Sequence, residues 1–104
     1  MRSEAALQTA VIKKIKQRYG SLCKVYKIHD QCTVGIPDLL ICFMGRFCAI
    51  ELKKDSTCLA TKKQLYEISE IRKAGGLAAV MCSVDEVIEH LDRVRGAYYA
   101  AGNR

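Results

Sequence analysis

The sequence predicts an α/β fold, a mixed four-stranded sheet flanked by helices, with its elements in the order α-β-β-β-α-β-α. Three observations carry this. Helical periodicity frames the chain near both ends, through Leu7, Val11 and Ile15 and through Val84, Val87, Ile88, Leu91 and Val94. Between them, two short apolar runs flank Met44-Gly45-Arg46, the pattern of a β-hairpin. A third helical stretch separates the second run from one more apolar strand, so those two strands are joined by a crossover and share a sheet. Strands joined by both a hairpin and a crossover make a mixed sheet with helices on its faces.

Taken in order, the first helix is expected over residues 3–19. Ser3 is its N-cap, Glu4 lies in the dipole-favoured first turn, and Gly20 is its stop. Residues 23–28 alternate and are β-branched or aromatic, so they form a strand, and residues 29–37, with Asp30, Gln31, Gly35 and Pro37, form a loop. Residues 38–43 are apolar on both faces, as a central strand is, and residues 47–53 are their hairpin partner. Residues 54–60 are a polar connection. Thr61-x-x-Gln64 has the form of a capping box, opening a helix that runs to Ala74 and stops at Gly75-Gly76. Residues 77–82 are the fourth strand. Ser83-x-x-Glu86 is a second capping box, starting a helix expected to end near Arg95, with the tail from Gly96 unassigned.

The composition narrows the function classes. The chain has 104 residues, half of them hydrophobic, which suits one domain over residues 1–104 with a core that needs no disulfides. Seventeen Lys and Arg against eleven Asp and Glu give a formal charge of +6, a balance that favours an anionic partner such as nucleic acid. The longest apolar run, residues 39–44, is far too short to span a bilayer, and no apolar stretch follows Met1-Arg2-Ser3-Glu4 as a secretory signal requires. A cytoplasmic protein without membrane contact is expected. The cysteines at 23, 32, 42, 48, 58 and 82 include no C-x-x-C pair, so zinc is not expected, and most are read as small buried hydrophobes in a reducing compartment. No phosphate-binding G-x-x-x-x-G-K-[ST] loop occurs, so no nucleotide cofactor is expected.

One stretch carries chemistry. Glu51 and Lys53 are two apart on a strand and so point the same way, and a hairpin around Gly45 brings Asp38 across the ladder to them. Two carboxylates packed this closely repel unless a cation neutralises them, and an oxygen donor set beside substrate phosphate suits Mg²⁺ or Mn²⁺. Lys53 can stabilise charge developing on a phosphodiester in attack or help place the nucleophile. Glu51-x-Lys53 alone also fits a solvent-facing edge strand. With Gly35-Ile36-Pro37-Asp38 one hairpin upstream, the nuclease reading is stronger. Glu4 stands seven residues before Val11, on the apolar stripe of the first helix, where a carboxylate wants a partner such as the metal site, or simply serves the helix dipole. Gln64 either completes its capping box or reaches the site from the helix start. His29 reads as a loop histidine. Lys13, Lys14, Lys24, Lys27 and Lys54 are candidates for phosphate contacts, with a solvated surface the default for each one.

These residues resemble a known family. Asp38 with Glu51-x-Lys53 looks like the PD-(D/E)XK nuclease signature. Glu4 and Gln8, Gly35-Ile36-Pro37-Asp38-Leu39, Glu51-Leu52-Lys53, and Gln64 followed by the Gly75-Gly76 stop are similar to the VRR-Nuc group, the virus-type replication–repair nucleases. The resemblance implies a restriction-endonuclease-like core and Mg²⁺- or Mn²⁺-dependent cleavage of DNA. It implies Glu4, Asp38, Glu51 and the Leu52 carbonyl as metal ligands, with Lys53 and Gln64 assisting. It also implies a stand-alone member that acts as a homodimer on branched DNA, in the manner of Holliday-junction resolvases. Leu59-Ala60-Thr61 stands where family members often carry a proline. Two other functions fit the same residues: a nucleic-acid-binding module without catalysis, and a sequence-specific restriction or homing-type nuclease. The second is disfavoured by the lack of a base-reading element.

Overall fold

The computed structural model describes residues 3–29 and 33–103. Its elements are α1 (Glu4–Tyr19), a 3₁₀ turn (Gly20–Leu22), β1 (Cys23–Lys27), β2 (Leu39–Phe43), β3 (Arg46–Leu52), α2 (Lys62–Lys73), β4 (Leu77–Met81) and α3 (Val84–Ala100). The strands lie in the order β1-β2-β3-β4, antiparallel across the first two pairings and parallel between β3 and β4. This is the expected mixed sheet and element order.

The sheet has two unequal faces. Cys23 and Val25 of β1, Leu39, Ile41 and Phe43 of β2, and Cys48, Ile50 and Leu52 of β3 share one face, packed against Leu7, Val11, Ile15 and Tyr19 of α1 and Val87 and Leu91 of α3. The opposite face is covered by α2 alone, where Ile68 is buried with Ala49 and Ala78 while Leu40, Ile71 and Val80 pack around them. The larger core is thus on the α1/α3 side, and β3 is central, buried over most of its length.

The helix starts follow local chemistry. The Ser3 hydroxyl accepts from the Ala6 N–H at 3.1 Å, and Ser83 does the same for Glu86 at 3.1 Å. The second start is a simple cap and not the full box expected, because the Glu86 carboxylate accepts from the Cys82 thiol at 2.9 Å. α3 also runs five residues past the expected end near Arg95, to Ala100. A Cβ at Gly96 would meet no neighbour within 4 Å, so this exposed glycine costs the helix only its own propensity and does not break it.

α1 and α3 are locked together by a contact that periodicity does not show. Arg18 donates to both oxygens of Asp92, at 3.0 and 2.8 Å, and the Tyr19 hydroxyl donates to Asp92 Oδ1 at 2.7 Å. These hydrogen bonds, Arg18's first, hold the Asp92 carboxyl down to about 2.

The expectation that most cysteines are buried needs correction. Of those in the described residues only Cys48 is buried, Cys42 is exposed, and Cys23, Cys58 and Cys82 are partly covered. Cys32 lies outside the described residues. The reason is strand parity: Cys23 and Cys48 face the α1/α3 core, whereas Cys42 is on the face that α2 covers only in part. Burial pushes the Cys23 and Cys48 thiols up to about 11, so both are unreactive near neutral pH. All five are free thiols. Among the described residues no helix is long and apolar enough to cross a membrane.

Candidate active site

The β2–β3 hairpin sets the geometry. Its two-residue turn has Met44 at φ 49° and Gly45 at φ 81°, the positive-φ pair of a type I′ connection, which fixes Phe43 opposite Arg46 and Leu39 opposite Ile50. Asp38 and Glu51 are the next residues beyond that last pair, so the turn brings them together on the α2 face. A one-residue slip would send Glu51 into the other core.

Hydrogen bonds then fix each group. Asp38 Oδ2 accepts from the Leu52 N–H at 2.8 Å, holding its carboxylate against β3, and its carbonyl accepts from the Ile28 N–H at 2.9 Å. The Lys53 N–H donates to the Met81 carbonyl at 2.9 Å, which extends the β3–β4 pairing past Leu52. Lys53 Nζ lies 3.5 Å from Glu51 Oε2. Both side chains are inside the protein: Glu51 is 2% exposed and Lys53 8%. They sit on a central strand, which removes the edge-strand reading.

Gln64 does both jobs open to it. Its backbone N–H donates to Thr61 Oγ1 and its Oε1 accepts from the Thr61 N–H at 2.8 Å, completing the capping box. Its Nε2 donates to Glu51 Oε2 at 3.1 Å. The helix cap therefore aims the amide at the carboxylate. The Gly35 loop is placed by the same turn of α2: a Cβ on Gly35, at φ +92°, would stand 2.6 Å from the Lys63 carbonyl oxygen. Beside it, Ile28, Thr33, Val34, Gly35, Ile36, Asp38 and Gln64 line an open cleft of ≈ 290 Å³, polar in its walls.

The electrostatics of Glu51 are unusual. Burial, then the neighbouring Asp38 charge and a hydrogen bond with Asp38, push its carboxyl up to about 7, with Lys53 acting only partly against this. Its Oε1 is buried with no hydrogen-bond partner among the described residues. An orphaned carboxylate oxygen beside a second carboxylate is what a hard divalent cation satisfies, so Asp38 and Glu51 fit such an ion.

The remaining expected residues fall in different places. Glu4 heads the buried Leu7–Val11–Ile15 stripe and is itself half-buried. Among the described residues no group of three His, Cys, Asp or Glu side chains is gathered for a metal, and the pair brought together is Asp38 and Glu51. Lys13 and Lys14 are exposed on α1, which packs on the other face of the sheet. Lys24 shares the face of Glu51, Lys27 is exposed on β1 opposite Leu39, and Lys54 is exposed directly after Lys53. Periodicity gave no sign that Thr33 and Val34 would line the cleft, because a loop has no repeat to read.

The Glu51 shift makes a testable prediction. The unfolded chain loses this proton above about 4.5, while the folded chain keeps it until about 7. The folded state therefore binds more protons in that window, so stability falls as pH rises from about 4.5 to about 7 and is level above it. His90 acts in the opposite sense, because burial and then Arg93 lower its pKa. The expected result is that Mg²⁺ raises the thermal midpoint more at pH 8 than at pH 5, measured against an EDTA control, since Glu51 attracts the cation fully only once it has lost its proton. Equal gains at both pH values would contradict it.

Comparison with known proteins agrees with this geometry. The fold is similar to a solved structure described as "VRR_NUC domain protein", with a TM-score of 0.76 and 25% identity over 88% of this chain and 86% of that one. It is also similar to one described as "VRR_NUC domain", with a TM-score of 0.65 and 32% identity over 86% of this chain and 98% of that one. No family model matches the sequence, and no curated protein does. Identity at this level over nearly the full length of the second structure, with the shared fold, means that the chain belongs to the VRR_NUC family.

Proposed function

We propose that this protein is a metal-dependent DNA endonuclease, selective for branched DNA and working as a homodimer. The observation that carries the reading is the buried, unpartnered oxygen of Glu51 beside Asp38, with Lys53 and Gln64 converging on the same carboxylate. Membership of a family whose name denotes a nuclease supports it, as does the formal charge of +6.

Asp38 and Glu51 would hold Mg²⁺ or Mn²⁺, with the Leu52 carbonyl and Glu4 as further candidates. The bound ion supplies charge neutralisation at the scissile phosphate and a more acidic water. The chain's own residues do the rest. The Leu52 N–H fixes the Asp38 carboxylate before substrate arrives, so no reorganisation is needed at that group. Lys53, anchored by its backbone to Met81, carries a positive charge into a nearly dry site, where it stabilises the extra charge that builds on the phosphate. Gln64, its carbonyl already committed to the cap, has only its amide to offer, so it acts as a donor and holds Glu51 Oε2 in place. Exposed Lys27, opposite Leu39, and Lys54, directly after Lys53, lie at this end of the sheet and suit backbone phosphates, while exposed Lys24, opposite Cys42, stands toward the hairpin turn on the face of Glu51. A small chain has little area for a branched substrate, and a two-fold dimer doubles it.

The test is cleavage of a labelled synthetic four-way junction beside a linear duplex, with Mg²⁺, Mn²⁺ or EDTA, by the wild type and by Asp38→Ala. Paired cuts on the junction, lost in EDTA and in the variant, are expected, with a dimer by light scattering. Cutting of every DNA would keep the nuclease and remove the branch selectivity. Tight binding with no cutting under either metal would favour the binding module.

A further inference from the structure

We infer that Tyr26, with Lys24 beside it, forms a stacking subsite for an unpaired nucleobase on the open half of the catalytic face. This rests on the nuclease reading for its substrate and adds a device that distinguishes unpaired from paired DNA.

Strand parity places the ring. Cys23 and Val25 turn into the α1/α3 core, so Lys24 and Tyr26 face the other way. Tyr26 pairs with Leu40, which pairs with Ala49, and Ala49 precedes Glu51 by two residues on the same face. Tyr26 and the carboxylates thus share one surface. With strands about 4.8 Å apart and a rise of about 3.3 Å per residue, the Tyr26 backbone lies roughly 12 Å from that of Glu51. That span suits a nucleotide close to the bond being cut.

The surface around the ring is open. α2 buries Ala49 and Ala78 of β3 and β4, but toward β1 its cover ends. Tyr26 is 58% exposed, and Lys24 and Cys42 are exposed with it. A single exposed tyrosine is ordinary, and the charge around this one is what distinguishes it. Lys24 Nζ lies over the ring, 5.4 Å from its centroid, and neither β1 nor β2 contains an acidic residue, while Lys27 has the parity of Val25 and belongs to the other face. An exposed aromatic ring with one face under an ammonium group and no carboxylate on its own or the neighbouring strand fits a single strand of nucleic acid, whose phosphate meets Lys24 while a base lies on the open side of the ring. A base inside a duplex is stacked on its neighbours and cannot reach the ring, so only an unpaired nucleotide gains from this subsite.

The experiment uses the full chain and a duplex bearing a single-stranded arm that carries 2-aminopurine, beside the same duplex fully paired. Binding is followed in EDTA by 2-aminopurine fluorescence, and cleavage is followed with Mg²⁺. Wild type should quench the probe in the arm. Tyr26→Ala should lose the quenching and weaken binding of the armed substrate about tenfold more than of the paired duplex. In cleavage the change should appear in KM, with kcat nearly kept, and Tyr26→Phe should restore both readouts. Equal weakening on the two substrates, failure of Tyr26→Phe to rescue, or no quenching by wild type would overturn the subsite. If wild type cuts neither substrate yet quenches through Tyr26, the subsite stands and the nuclease reading fails. If it cuts both without regard to Tyr26, the nuclease stands and the subsite fails.

Discussion

Glu51→Gln will remove DNA cleavage by roughly a thousandfold and, in the same molecule, raise the stability of the metal-free protein at pH 8. The two effects have one cause. Glu51 is 2% exposed, lies against Asp38 and is met by Lys53 and Gln64 at Oε2 only, so at pH 8 the metal-free fold carries a buried charge that is satisfied at one oxygen and not at the other. Glutamine keeps the shape and removes the charge. The gain should be on the order of 1–2 kcal/mol, or about 5 °C or more in the thermal midpoint of so small a protein. It should shrink toward pH 5, where the native carboxyl is protonated as well. Parallel melts in EDTA and nicking assays in Mg²⁺ check both halves. A variant that cuts normally would remove Glu51 from the mechanism. One that is destabilised at pH 8 would mean the carboxylate is satisfied in the native protein.

Gly35→Ala is the second large effect. The new methyl would stand 2.6 Å from the Lys63 carbonyl oxygen and 2.7 Å from its carbon, at a φ of +92° that side chains rarely adopt. Backbone on the other side of the contact cannot swing away, so the loop must lift from the start of α2. That separates the segment leading to Asp38 from the turn that presents Gln64. The expected cost is about 2–4 kcal/mol of stability, with cleavage down about a hundredfold through misplacement. Gly45→Ala is the control. Its φ is +81° but nothing lies within 4 Å of the new Cβ, so it should cost about 1 kcal/mol and leave the cleavage rate nearly unchanged. Urea melts and initial rates on both variants make the comparison. Equal losses in the two would show that glycine conformation alone, and not contact with α2, decides the effect.

Much of the site is legible in the sequence because it is local. Asp38, Glu51 and Lys53 belong to one hairpin, and period-two alternation with a two-residue turn is enough to bring them together. Gln64 is readable as a cap for the same reason. Its second role is not, since the bond to Glu51 depends on how α2 docks across the sheet. Asp92 is similar: a lone aspartate on a predicted helix carries no mark of its bonds to Arg18 and Tyr19, more than seventy residues away in the chain.

The sequence by itself determined the order of elements, the mixed sheet, the face shared by the two carboxylates and the lysine, and the helix starts at Ser3, Thr61 and Ser83. These follow from periodicity, turn chemistry and capping, which act over a few residues. Only the tertiary structure decided that Glu51 and Lys53 are buried, that Glu51 holds its proton to about 7, and that α2 leaves Tyr26 and Cys42 uncovered. Burial and charge coupling are sums over neighbours from distant parts of the chain, and those neighbours are fixed by packing.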